Sequence, residues 1–150
     1  MNGKPAHGSA VSLRCGDWAL LGADAGAVRS AVFVVEQGIP AEEEWDSRDA
    51  DSLHCVAYAA DGTPVGTGRL LPDGHIGRMA VLADWRSAGI GSLILLRLIE
   101  QGDARGHRML ELSAQCAVEG FYRRHGFSPV GEPYDEVGIA HVRMQRAAPG

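Results

Sequence analysis

The chain has little cysteine, and none of it in a pattern. Cys15, Cys55 and Cys116 are an odd set with no C-x-x-C pair. That count excludes a disulfide framework and a zinc knuckle, and it fits free thiols in a reducing compartment. Long apolar runs are also missing: no stretch reaches the roughly 20 residues needed to span a bilayer. The opening MNGKPAHGSAV lacks the apolar core of a signal peptide. A cytoplasmic protein with no membrane contact is therefore expected. Positive charge is short, since 14 Lys and Arg against 19 Asp and Glu leave a net charge of −5. Nucleic acid is excluded as the main partner, because phosphate binding needs a basic face. No repeat, low-complexity tract or linker is present.

What is there is one domain's worth of chain. In its 150 residues, 45% are hydrophobic and 22% charged, the profile of a globular domain with a real core. Residues 1–9 read as a loose tail and 10–146 as a single domain. AVSLRC (10–15) reads as a strand. Residues 25–35 place Val28, Ala31, Val32 and Val35 on one helical face. The acidic stretch 36–52 reads as a long loop, which in a small domain is usually functional. LHCVAYAA (53–60), PVGTGRLL (64–71) and HIGRMAVL (75–82) form a meander, turning at Asp61-Gly62 and at residues 72–74. A helix over 87–104, with Ile90, Leu93, Ile94 and Leu98 inward, leads to the strand MLELSA (109–114). A short helix over 117–125, with Val118, Phe121 and Tyr122 inward, precedes strands at 127–131 and 138–145. The helix joining the third meander strand to MLELSA makes those two strands parallel. The expected fold class is α/β, a mixed, mostly antiparallel sheet covered by helices.

The informative stretch is GRMAVLADWRSAGIGSLILL (77–96), where a strand passes through Arg86-Ser-Ala-Gly-Ile-Gly91 into a helix. A helix N-terminus exposes unpaired N–H groups and about half a positive charge. Glycines let an anion approach that backbone, and an arginine adds a charge-assisted bond. A bare Gly-x-Gly means nothing: 20 glycines in 150 residues supply about 2.6 such pairs by chance, and Gly66-Thr-Gly68 is another. Context makes the difference. No Lys-Ser/Thr follows, as a Walker A loop requires, and the third glycine of a dinucleotide fingerprint is absent.

Arg86-Ser-Ala-Gly-Ile-Gly91 after GRMAV resembles the Q/R-x-x-G-x-G/A signature of the GNAT N-acetyltransferases. FYRRHGF (121–127) resembles their second landmark. VRSAVFVVEQGIP (28–40), DADSLH (49–54) and GIAHVRM (138–144) resemble the ElaA-like branch. The likeness spans residues 10–146. It implies the GNAT acyl-CoA acyltransferase fold, with acetyl-CoA as cosubstrate, an amine acceptor and no metal. By the same resemblance, Arg86, Ser87, Ala88, Gly89, Ile90 and Gly91 hold the CoA pyrophosphate. Met79, Ala80 and Val81 pair with the pantetheine amides like an added strand, while MLELSA splays away. Gln115 stands where many members carry Asn, and it can bond a pantetheine amide. Two copies can pair through the terminal strands as a homodimer.

The implied reaction is direct acetyl transfer to a primary amine. A lysine-like amine of pKa about 10.4 is neutral in only about 0.04% of molecules at pH 7, so a base is needed. Tyr122 is the family-matched general acid toward the departing thiolate. Glu36, at the end of the first helix, and His54 and His141, both on strands, are the base candidates. Each has a plainer alternative: Tyr122 as a core aromatic, the histidines as hydrogen-bonded core residues, the acidic run as a solvated face. His75 starts a strand and is expected to be exposed. A Cys116–His125 nucleophile is ranked below direct attack, which needs no covalent step. The acidic residues Glu42, Glu43, Glu44, Asp46 and Asp49 would favour a cationic acceptor. The competing function is a non-catalytic acyl-CoA-binding regulatory module.

Overall fold

The structure is a computed structural model, and it describes residues 11–44 and 46–149. The tail expected over residues 1–9 lies outside them. Strands β1 (Ser12–Gly16), β2 (Leu53–Tyr58), β3 (Pro64–Leu70), β4 (His75–Val81), β5 (Met109–Gln115), β6 (Ser128–Glu136) and β7 (Ile139–Ala147) form one sheet in the order β1-β2-β3-β4-β5-β7-β6. Only β4 and β5 run parallel, as the crossover between them requires. Helices α1 (Trp18–Arg29), α2 (Ala41–Glu44), α3 (Ile90–Ala104) and α4 (Glu119–Arg124) cover the sheet.

Alternation along β2 divides the core. Val56 and Tyr58 meet Leu21 and Ala25 of α1 on one face. Cys55 and Ala57 join Ile94, Leu95 and Leu98 of α3 on the other. Those three α3 residues are fully buried, each contributing about 1.5–3 kcal/mol. The chance-level Gly66-Thr-Gly68 has a packing role here. A Cβ at Gly68 would lie 2.6 Å from the Met79 sulfur and 2.8 Å from a Leu98 methyl, so glycine lets α3 rest directly on β3.

The first helix differs from the sequence expectation. It starts at Trp18, capped by Asp17, whose carboxylate accepts the Leu20 N–H at 2.9 Å. Past Arg29 it continues as a π-helix over Ser30–Glu36. Its wider turn rotates later residues off the 3.6-residue stripe: Val28 and Val32 are buried, but Val35 is 79% exposed. The combined helix, Trp18–Glu36, is 19 residues long and by length and composition apolar enough to cross a membrane. Its sequence is nonetheless not an unbroken apolar run, since Asp24 and Arg29 interrupt it. Here, however, it lies on the sheet and carries a buried, ion-paired Arg29.

Smaller corrections follow from local geometry. Helix α3 begins at Ile90 rather than Ser87, because Ser87 (φ 68°) and Gly89 (φ 81°) are left-handed and hold the chain in a loop. Leu93 and Val118, expected inward, are each 45% exposed. The 36–52 segment contains α2 and a short 3-10 helix, Ser47–Asp51, instead of open loop.

Candidate active site

The site begins where the parallel pair fails. Strands β4 and β5 are in register only at His75–Glu111 and Ile76–Leu112, and then part. On the β3 side, Arg78 and Met79 stand opposite the single residue Gly68, a bulge with Arg78 at φ 50°. The backbone of β4 beyond Ile76 thus has no strand partner on the β5 side. A cavity of about 730 Å³ opens into this gap, with Met79, Ala80, Val81, Gln115, Tyr122 and His141 in its wall.

At the end of β4 the chain turns into α3. Helix α1 has a side-chain cap, but α3 has none: its N-cap is Gly89. The backbone N–H groups of residues 87–92 have no hydrogen-bond acceptor among the described residues. This cluster of unpaired donors at a helix mouth is the electrostatic complement of a diphosphate.

The model of the acetyltransferase (GNAT) domain family matches residues 23–148. The chain belongs to the GNAT acetyltransferase family. YjcF of Bacillus subtilis, an uncharacterized N-acetyltransferase, is 39% identical over 127 residues, 82% of this chain and 90% of YjcF. The structure of an acyl-CoA N-acyltransferase from Pseudomonas aeruginosa superposes with a TM-score of 0.83 at 31% identity, covering 92% of this chain and all of that one. Escherichia coli ElaA superposes with a TM-score of 0.81 at 28% identity, covering 90% and 99%.

Within this GNAT domain the candidate residues separate. Tyr122, on α4, is 8% exposed and lines the cavity. Its hydroxyl has no hydrogen-bond partner among the described residues, and burial alone pushes its pKa up to about 12. His141, on β7, is 6% exposed and also lines the cavity. Its Nδ1 lies 2.7 Å from the Ile139 carbonyl. A carbonyl only accepts, so Nδ1 donates, and in the neutral ring Nε2 is the basic nitrogen. A Glu136 carboxylate oxygen stands 4.0 Å from that Nε2.

His54 is not part of the cavity wall. It is buried beside Trp18, with Nε2 at 2.9 Å from the Asp49 carbonyl, and burial lowers its pKa. Glu36 does not line the cavity either; it grips Arg86 through two bonds of 2.6 Å. The hydrogen bonds from Arg86 hold its carboxyl below the usual range, which weakens it as a base. Arg86 also donates from Nε to the Val81 carbonyl at 2.9 Å. Its guanidinium is therefore directed at Glu36 and the β4 end, with the backbone amides left open. Gln115 donates to the Gln37 side chain at 3.0 Å, tying β5 to the segment after the π-helix. Neither Cys116 nor His125 lines the cavity, and His125 Nδ1 is engaged by the Phe121 carbonyl at 2.9 Å.

The acidic segment is not a free negative face. Buried Asp49 accepts from Arg29 at 2.8 and 3.0 Å and from Arg69 at 3.0 Å. Asp46 accepts from Arg69 at 2.8 Å and Arg78 at 3.0 Å, and Glu44 pairs with Arg29. Burial pushes the Asp46 and Asp49 carboxyls upward, but the guanidiniums outweigh it and hold both low. Glu44, Asp46 and Asp49 thus balance three arginines, which removes the basis for attraction of cations by these residues.

Sequence reasoning missed two features in and behind the wall. His75 is exposed as expected, but it bridges Asp73 and Glu111 at 2.9 Å each. Burial opposes protonation, yet the two carboxylates win and raise its pKa. The other feature is Tyr134, whose hydroxyl contacts Ser113 and whose ring stacks on His141. Only the β5-β7-β6 register brings these together, so no local motif could announce them.

Proposed function

We propose that this protein transfers the acetyl group of acetyl-CoA directly to a primary amine. The observation that carries the reading is the run of unpartnered N–H groups over residues 87–92, placed beside a cavity that contains Tyr122. Those amides would take the CoA diphosphate. The β4 edge at Met79–Val81 would hold the pantetheine amides as a missing strand.

His141 is the base that fits best. Its free Nε2 can take the ammonium proton, and Glu136 stands where it would stabilise the resulting imidazolium. His75, with both nitrogens held by carboxylates, is a poor base because its proton is retained. Attack of the neutral amine on the thioester carbon expels the CoA thiolate.

Tyr122 stays a neutral hydrogen-bond donor. A phenol near pKa 12 facing a thiol near 8.5 makes full proton transfer uphill by about 5 kcal/mol. It therefore stabilises the thiolate as a donor, and the final proton comes from solvent. The acceptor is selected by the polar wall of Ser113, His141 and Glu136.

The test is CoA-thiol release from acetyl-CoA across a panel of primary amines, beside a thermal shift with acetyl-CoA alone. Ligand at 100 times its Kd stabilises by about 2.7 kcal/mol, several degrees for a chain of this size. A shift with turnover supports the enzyme. A shift without turnover on any amine leaves an acyl-CoA-binding regulatory module. No shift removes both.

A further inference from the structure

We infer that Cys15 and Cys55 are a redox-reactive pair that closes into an intramolecular disulfide when the protein meets a peroxide. The sequence, with its odd count, expects only free thiols, and in the structure all three are free. The sheet register shows what spacing conceals.

Cys15 and Cys55 are direct partners in the antiparallel β1–β2 ladder. Facing residues in such a ladder have Cα atoms about 4.5–5.5 Å apart, inside the roughly 4.4–6.8 Å that a disulfide bridges. Both side chains point to the α3 face of the sheet, where Cys55 is fully buried and Cys15 packs half-buried at the margin. The two thiols therefore stand beside each other on one face of the ladder.

Their surroundings give them different roles. The neighbouring Cys55 thiol favours the Cys15 thiolate, against burial; Arg97 of α3 adds to it and Glu100 opposes it. The neighbouring Cys15 and deep burial keep Cys55 protonated. Cys15 is thus the accessible nucleophile and Cys55 the resolving thiol. The Cys15 thiolate attacks one peroxide oxygen and breaks the O–O bond. This gives a sulfenic acid and hydroxide, which becomes water by taking up the proton that the Cys15 thiol released on ionising. Cys55 sulfur then attacks the Cys15 sulfur, the S–O bond breaks, and the leaving hydroxyl departs as water with the Cys55 proton. The two sulfurs lose two electrons in total and the peroxide gains them. Cys116, on the turn between β5 and α4, has no part in this.

The whole protein is treated with hydrogen peroxide at neutral pH, alkylated under denaturing conditions and mapped without reduction. The expected product is a linked peptide pair joining Cys15 to Cys55, about 2 Da lighter than the sum of the reduced peptides, with Cys116 alkylated. Closing this loop should also raise Tm by several degrees, reversibly with dithiothreitol. Cys55→Ser should leave Cys15 as a dimedone-reactive sulfenic acid. If that variant does not fold, Cys116→Ser serves instead and should still form the link. Alkylation or over-oxidation of Cys15 without a link to Cys55 would overturn the proposal, as would a link through Cys116.

Discussion

Glu36 closes a two-bond ion pair on Arg86, each nitrogen–oxygen distance 2.6 Å, joining the last residue of the π-helix to the glycine loop. Both side chains are 41% exposed. A solvent-screened pair of this kind is worth only about 0.2–1 kcal/mol, so a doubly charged diphosphate can draw Arg86 away.

Glu36→Gln should therefore strengthen acetyl-CoA binding, lowering Kd by a few-fold. Arg86→Gln should raise it about tenfold, as expected for loss of a charged hydrogen bond worth about 1.4 kcal/mol. Titration calorimetry at two salt concentrations reads both, and the salt dependence should shrink in Arg86→Gln.

Tyr122→Phe should cut kcat by about 10–100-fold and leave the acetyl-CoA thermal shift intact. Loss of a buried hydroxyl with no partner should leave Tm unchanged or slightly higher. With the phenol pushed to about 12, the rate profile of the parent protein should show no alkaline fall from Tyr122 below that pH. Steady-state kinetics and melting curves decide this.

His141→Gln should lower kcat/KM, with acetyl-CoA Kd unchanged. A loss of acetyl-CoA binding instead would assign His141 to the CoA pocket, not to the proton.

Asp49→Asn should destabilise by about 3–5 kcal/mol, because buried Arg29 and Arg69 then lose their shared charge. At 2–4 °C per kcal/mol this is roughly 6–20 °C in Tm. The same carboxylates set the acid limit. Asp46 and Asp49 have folded pKa values below the unfolded ones. Their contribution is complete above the unfolded value of about 3.9 and disappears as pH falls through the folded one. Melting curves should hold steady from neutral pH to about 5 and drop below about 4.

His75 works in the opposite sense. Its folded pKa is raised by Asp73 and Glu111, so its contribution is full below about 6.5 and fades as pH climbs through the folded value. The Tm difference between parent and His75→Gln should be largest near pH 5.5 and narrow toward alkaline pH.

Much of the candidate site could be proposed from sequence because it is local. The loop from Arg86 to Gly91, the strand before it and the helix after it are one contiguous segment, and Tyr122 sits in its own landmark. Residues set by long-range pairing were not. Glu36 looked like a base candidate until Arg86, 50 positions later, appeared on it. Asp46 and Asp49 looked like a solvated acidic face until Arg29, Arg69 and Arg78 neutralised them. His54 and His141 were indistinguishable on the page of letters. One turned out to support the Asp49 carbonyl, and the other lines the cavity.

Hydrophobic periodicity, turn residues and one glycine-rich signature, all short-range properties of the chain, were enough to define the mixed sheet, the β4-to-β5 crossover and the uncapped mouth of α3. Tertiary structure alone decided which charges are neutralised, which histidine lines the cavity, and that Cys15 faces Cys55. The reason is physical: a side chain's charge and reactivity depend on what is packed within a few ångströms of it. In a seven-stranded sheet those neighbours come from strands far apart in sequence.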